Sequence, residues 1–190
     1  MDQIATLEFA QSALRGQVTA LEEGQMREIS NCEPWTIRQL ASHALNNQLY
    51  WGGLVTGEII VSFEETMGAV PYEGDLARFA LEAGERSLSM WRTSGALEAI
   101  LDTPFGKLPG AVVINFPTID ALCHAWDLAA SVGEPIEFPA EMLPAISVVV
   151  EATCTDAVRE LGLIKAVAPT RVGATATEKL MAVSGRSLDR

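Results

Sequence analysis

Two histidines stand in the chain, His43 and His124, each amid apolar residues at helical spacing. An imidazole in such surroundings needs a partner, because an unpaired polar group in a core costs roughly 1–3 kcal/mol. In Asp120-Ala121-Leu122-Cys123-His124-Ala125-Trp126-Asp127 an acid precedes the second histidine by four residues. On a helix the two share a face, with Cβ atoms ~5–6 Å apart. One carboxylate oxygen and one ring nitrogen can then reach the same ion. If the helix carrying His43 is a neighbour, a third donor joins them. Two imidazoles and a carboxylate, with one position left for water or substrate, form the donor set of a catalytic zinc or similar divalent site. The competing reading is a pair of hydrogen-bonded core histidines, with Asp120 as an ordinary i,i+4 ion pair. The spacing leaves both open.

Other residues carry weaker signals. Asp127, three after His124, either orients that ring from outside the ligand set or ties its helix to the Trp35-Thr36 turn by accepting backbone hydrogen bonds. The second role is the plainer one. Trp35 and Trp126 read as core or cleft packing. Tyr50 and Trp51, two turns beyond His43, are placed to line a pocket mouth or simply to pack. Cys32 stands before a helix start, where a thiolate would be favoured, but a small loop residue is the simpler reading. Cys123 points about 100° away from His124 and is a poor ligand. The catalytic residues stay unassigned, since the chain has no nucleophile elbow, P-loop or dinucleotide fingerprint.

These residues must be held by helices. Apolar residues at three- and four-residue steps predict a first helix over 4–29, followed by a loop over 30–35. Thr36 with Gln39 forms a capping-box pattern, so a second helix starts there and stops near Gly57. Residues 58–72 read as an extended connector. A third helix runs from Asp75 to Thr93–Gly95, with a possible further turn over 96–101. Pro104, Gly106, Pro109 and Gly110 mark 102–110 as a loop. A fourth helix covers much of 111–132 and carries Pro117, which reads as a kink; the alternative makes Pro117 a first-turn residue with 109–116 separate. Pro139–Gly162 reads as a fifth helix, 163–176 as a loop, and Thr177–Gly185 as a short terminal helix. With no strand pair in view, the chain is all-α: a four-helix bundle plus extra C-terminal helices, as one domain over 1–190.

Composition narrows the function. Among 190 residues, 25 acids against 13 bases leave a net charge of −12, which argues against nucleic acid and anionic membranes as partners. Three cysteines without a Cys-x-x-Cys pair are no disulfide framework or cysteine zinc site. With neither a signal peptide nor a membrane-length apolar run, a soluble cytoplasmic protein is expected. A mean hydropathy of +0.19 hints at a buried subunit interface, hence a homodimer.

Three ordered segments resemble a known family. Cys32-Glu33-Pro34-Trp35-Thr36-Ile37-Arg38-Gln39-Leu40-Ala41-Ser42-His43 resembles the entry to the second helix in the DinB-like superfamily. The nearer match is the actinobacterial branch related to mycothiol-dependent maleylpyruvate isomerase. Ile119-Asp120-Ala121-Leu122-Cys123-His124-Ala125-Trp126-Asp127-Leu128-Ala129 is similar to that branch's acidic-x-x-x-His-x-Trp-Asp segment, and Glu178–Arg186 to the closing helix of its small members. The resemblance implies an up-down four-helix bundle with a long crossover, holding a divalent metal, zinc or nickel, on His43, Asp120 and His124. It also implies a low-molecular-weight thiol such as mycothiol. Two departures stand out: aspartate replaces the longer acid or histidine of several relatives at 120, and Glu33-Pro34 replaces Pro-Gly. The isomerase also carries a second domain, which this chain of 190 residues is expected to lack. The expected activity is therefore thiol S-transfer or isomerisation on a small electrophile. The alternatives are a non-catalytic metal-binding or interaction module, a metal-free bundle, or a metal-dependent hydrolase.

Overall fold

The computed structural model describes residues 2–67 and 70–188. The chain falls into two compact units, residues 2–135 and 136–190.

The first unit is built on four helices: α1 (Gln3–Ala20), α2 (Ile37–Thr56), α4 (Leu76–Trp91) and α6 (Asn115–Ser131), with a short α3 (Phe63–Met67) between α2 and α4. Local chemistry sets their starts. The Asp2 and Asp75 side chains accept from the backbone N–H of Ile4 and Arg78, satisfying donors that a helix start leaves unpaired. At α2 the expected capping box is present, with Thr36 and Gln39 bonding reciprocally. Gly57, at φ 72°, closes the same helix in the left-handed conformation that glycine adopts without strain.

Each bundle helix packs on two others: α1 on α4 and α6, and α2 on α4 and α6. The neighbours in space are therefore α2 and α6, the two helices that carry the histidines. Leu7, Leu14, Ile37, Leu40, Trp91, Leu122, Trp126 and Leu128 are fully buried between the four helices, each burial contributing about 1.5–3 kcal/mol. One polar seam crosses this core. Gln11 Nε2 donates to Gln48 Oε1 at 3.0 Å and to Ser87 Oγ at 3.1 Å, and Gln48 Nε2 donates to the Pro117 carbonyl at 3.1 Å. Buried amides thus find partners across four helices.

Several local expectations need correction. The first helix stops at Ala20, and a single 3-10 turn, Gln25–Arg27, takes the place of its expected last turns, as Gly24 weakens helix continuation. Part of the connector coils into α3; its residues 68 and 69 lie outside the described residues. The loop over 102–110 is a β-hairpin, β1 (Ile100–Thr103) against β2 (Gly106–Pro109), with Thr103 opposite Gly106. Pro104 and Phe105 form the turn, while Gly106 and Pro109 lie at the two ends of β2, with Leu101 and Thr103 buried on β1. Pro117 does not kink one long helix. A separate α5 (Gly110–Val113) precedes α6, and Pro117 lies in the first turn of α6, where a missing N–H costs least.

The second unit holds α7 (Leu143–Thr153), α8 (Asp156–Glu160) and α9 (Ala176–Val183). The single helix expected from Pro139 to Gly162 is thus two. Cys154 leaves helical geometry, and Thr155 caps a new start by accepting from Val158 N–H. α7 packs on α9, burying Ile146 and Met181. Arg159 ties the piece together by donating to the carbonyls of Cys154 and Val183 at 2.5 and 2.6 Å. Among the described residues no helix is long and apolar enough to cross a membrane.

Candidate metal centre

The packing of α2 on α6 turns one face of each helix toward the other. His43 projects from the second turn of α2, and Asp120 and His124 from successive turns of α6. Asp120 Oδ1 lies 3.5 Å from His43 Nε2 and 3.3 Å from His124 Nε2. One ligand atom from each of the three lies within 4.8 Å of the others. The imidazoles meet edge to face, ring centres 5.1 Å apart.

The far side of each ring is already engaged. His43 Nδ1 lies 2.6 Å from the Thr66 carbonyl, on the short helix α3. A carbonyl only accepts, so this nitrogen carries the proton and Nε2 keeps its lone pair. His124 Nδ1 lies 3.0 Å from Asp127 Oδ2 and donates to it, which turns Nε2 toward Asp120. Asp127, fully buried, also accepts from Asn31 Nδ2 at 3.2 Å and from the Cys32 thiol at 3.1 Å. Those two residues reach it because the loop over 28–36 folds back on itself, with Ser30 N–H donating to Trp35 C=O and Ile37 N–H to Glu28 C=O. Asn31 N–H also donates to Ser131 Oγ at the end of α6. Asn47, one turn beyond His43, places its Nδ2 3.1 Å from both His43 Nε2 and Asp120 Oδ1.

Charge is concentrated here. Burial would push the His124 imidazolium toward neutrality, but the carboxylates of Asp120 and Asp127 outweigh it and hold its pKa well above the ordinary histidine value. Burial likewise works against the Asp120 carboxylate, yet His124 and His43 hold its pKa far below the usual range. Asp120 Oδ2 is buried and has no hydrogen-bond partner among the described residues. A carboxylate with one unmatched oxygen, its other oxygen beside two imidazole nitrogens whose far ends are fixed, is a donor set that fits a divalent cation.

Of the other expected residues, Trp35 stacks at a tilt on His43, ring centres 4.7 Å apart. Tyr50 packs on Trp51 and Phe63, at 4.9 and 5.5 Å, and burial raises its hydroxyl pKa. Phe105 on the hairpin turn and Phe116 on α6 complete this ring cluster on Trp51. Phe116 precedes Asp120 by one turn, and Tyr50 comes nearly one turn after Asn47. Apolar rings thus lie one turn from the charged group on both helices, before it on α6 and after it on α2. The sequence singled out neither Thr66 nor Asn47 nor Asn31. Asn47 had a signal, since a residue four after a ligand shares its face; a backbone carbonyl such as that of Thr66 has none.

Comparison with known proteins agrees with this architecture. Crystal structures of the mycothiol-dependent maleylpyruvate isomerase, one of them a histidine-to-alanine mutant, superimpose with a TM-score of 0.62 at 19% identity. They cover 78% of this chain and 68% of theirs, and show that this chain has the all-α fold of that isomerase. Two Mycobacterium tuberculosis proteins described as uncharacterized, MT0763 and Rv0738, are 25% identical over 150 residues, covering 75% of this chain and 74% of their own. Residues 7–129, which contain most of α1, the histidine pair, Asp120 and Asp127, match the family described as Mycothiol maleylpyruvate isomerase N-terminal domain. The chain belongs to that family.

Proposed function

We propose that the protein binds a divalent metal, zinc or nickel, on His43, Asp120 and His124 and uses it to transfer a low-molecular-weight thiol of the mycothiol type to a small electrophile. The observation that carries the reading is the meeting of His43 Nε2, Asp120 Oδ1 and His124 Nε2 while both Nδ1 atoms are committed elsewhere. Three protein donors would leave a bound divalent ion a position open to the thiol. When bound, the metal supplies the acidity that holds a thiol as its thiolate, the nucleophilic form.

The residues of the chain divide the remaining work. Thr66 and Asp127 hold the two imidazoles in the tautomer and orientation that point Nε2 inward. Trp35 covers one side of His43 and keeps water from that ring. The rings of Tyr50, Trp51, Phe63 and Phe116 offer an apolar wall for the carbon skeleton of the electrophile. In the transfer itself the thiol sulfur forms a bond to an electrophilic carbon. The thiol proton ends on the adduct, or on the leaving group where one departs.

The family supports a mycothiol-type thiol, and the isomerase neighbours carry that dependence in their name. We also propose a homodimer, which fits the apolar surplus of the sequence, and a cytoplasmic location. The test is elemental analysis of untreated protein, followed by conjugation of mycothiol to a model electrophile. We expect about one metal per chain, conjugation above the uncatalysed rate, and loss of both in His43→Ala. Activity indifferent to that substitution refutes the mechanism. Conversion of a model ester or amide by water without any thiol would favour a hydrolase.

A further inference from the structure

We propose that Asn47 is a fourth cation donor of this site, its side-chain amide turning over when a divalent ion enters. The proposal rests on the metal-binding reading and adds a residue to it.

Asn47 is buried, 6% exposed, and its Nδ2 donates to His43 Nε2 and Asp120 Oδ1, each at 3.1 Å. Those are the lone pairs that a cation would use. Without an ion the amide N–H groups bridge the two acceptors and hold α2 to α6. A cation arriving there meets the positive end of the N–H dipoles. The two ends of an asparagine amide are alike in size and opposite in polarity. A half-turn about χ2 therefore replaces two donors with a carbonyl oxygen, in the same place and without moving the backbone.

The spacing suits four donors around one ion. For bonds of ~2.1 Å the edge of a tetrahedron is about 3.4 Å, and that between donors at right angles about 3.0 Å. The separations are 3.5 and 3.3 Å from Asp120 Oδ1 to the two Nε2 atoms, and 3.1 Å from Asn47 to His43 and to Asp120. An amide oxygen is neutral and weakly held, so an anionic thiolate can displace it. Asn47 would hold the fourth position until the thiol arrives.

The test compares wild type, Asn47→Ala and Asn47→Asp, each checked for fold by circular dichroism. Zinc affinity is read by competition with a chromogenic chelator, and coordination from the visible spectrum of the cobalt(II)-loaded protein. We expect Asn47→Ala to bind at least tenfold more weakly, with an altered cobalt spectrum. Asn47→Asp, which keeps an oxygen but has no N–H, should bind at least as tightly as wild type, while its metal-free form melts at a lower temperature. Wild-type affinity and superimposable cobalt spectra in both variants overturn the proposal and leave the three-ligand reading standing. Failure of the wild type to take up either metal overturns both.

Discussion

Asp127→Asn is the sharpest probe of how the centre is held. The side chain is fully buried, and its Oδ2 accepts from His124 Nδ1 at 3.0 Å and from Cys32 Sγ at 3.1 Å, while Oδ1 accepts from Asn31 at 3.2 Å. Asparagine keeps the shape and removes the charge. Either orientation of the new amide sets an N–H against a present donor: His124 and Cys32 on one side, Asn31 on the other. Without the carboxylate, His124 is a poorer electron donor and its Nδ1–H is less firmly held. Loss of such an outer hydrogen bond typically costs 10–100-fold in metal affinity, which is about 1.4–2.7 kcal/mol. The metal-free protein should also lose about 1–3 kcal/mol of stability for the mismatched buried donor. Chelator competition reads the first number and thermal unfolding the second. A variant that binds zinc as tightly as wild type would refute the role given to Asp127, whatever its melting temperature.

Charge and packing give further tests. The His124 pKa is raised in the metal-free protein, so a metal must displace a proton there. Apparent affinity should climb about tenfold per pH unit while His124 stays protonated, and calorimetry in buffers of different ionisation enthalpy should count one proton released; a count of zero refutes it. For stability, a raised pKa helps the metal-free fold below ~6.5 and its contribution fades as pH rises through the folded value, whereas the lowered pKa of Asp120 helps above ~3.9 and is lost on acidification. Metal should therefore raise the melting temperature more at pH 8 than at pH 6. Separately, Gly110→Ala would drive a Cβ into the backbone carbonyl of Ala96 at the start of α5. We expect a loss of about 1–3 kcal/mol in denaturant unfolding, and an unchanged midpoint would show that the hairpin and α5 yield freely.

The helical periodicity, the Thr36–Gln39 capping box and the i,i+4 spacing of Asp120 and His124 could be read from the chain, because each is a relation within one helix. Those relations determined the bundle class and which three side chains to watch. The family resemblance then connected the segment around His43 with the segment around His124, although the 80 residues between them say nothing about their distance. Only the tertiary packing decided that α2 lies against α6, since that choice depends on how all four apolar stripes interlock. It alone supplied the Thr66 carbonyl from α3, the Asn31 and Cys32 contacts to Asp127, and the Asn47 amide between two ligand atoms. The hairpin escaped the sequence for the same reason, and no relation within one helix could decide between a kink at Pro117 and the break before it. A glycine- and proline-rich stretch reads as loop until a neighbouring strand or helix gives its backbone groups somewhere to bond.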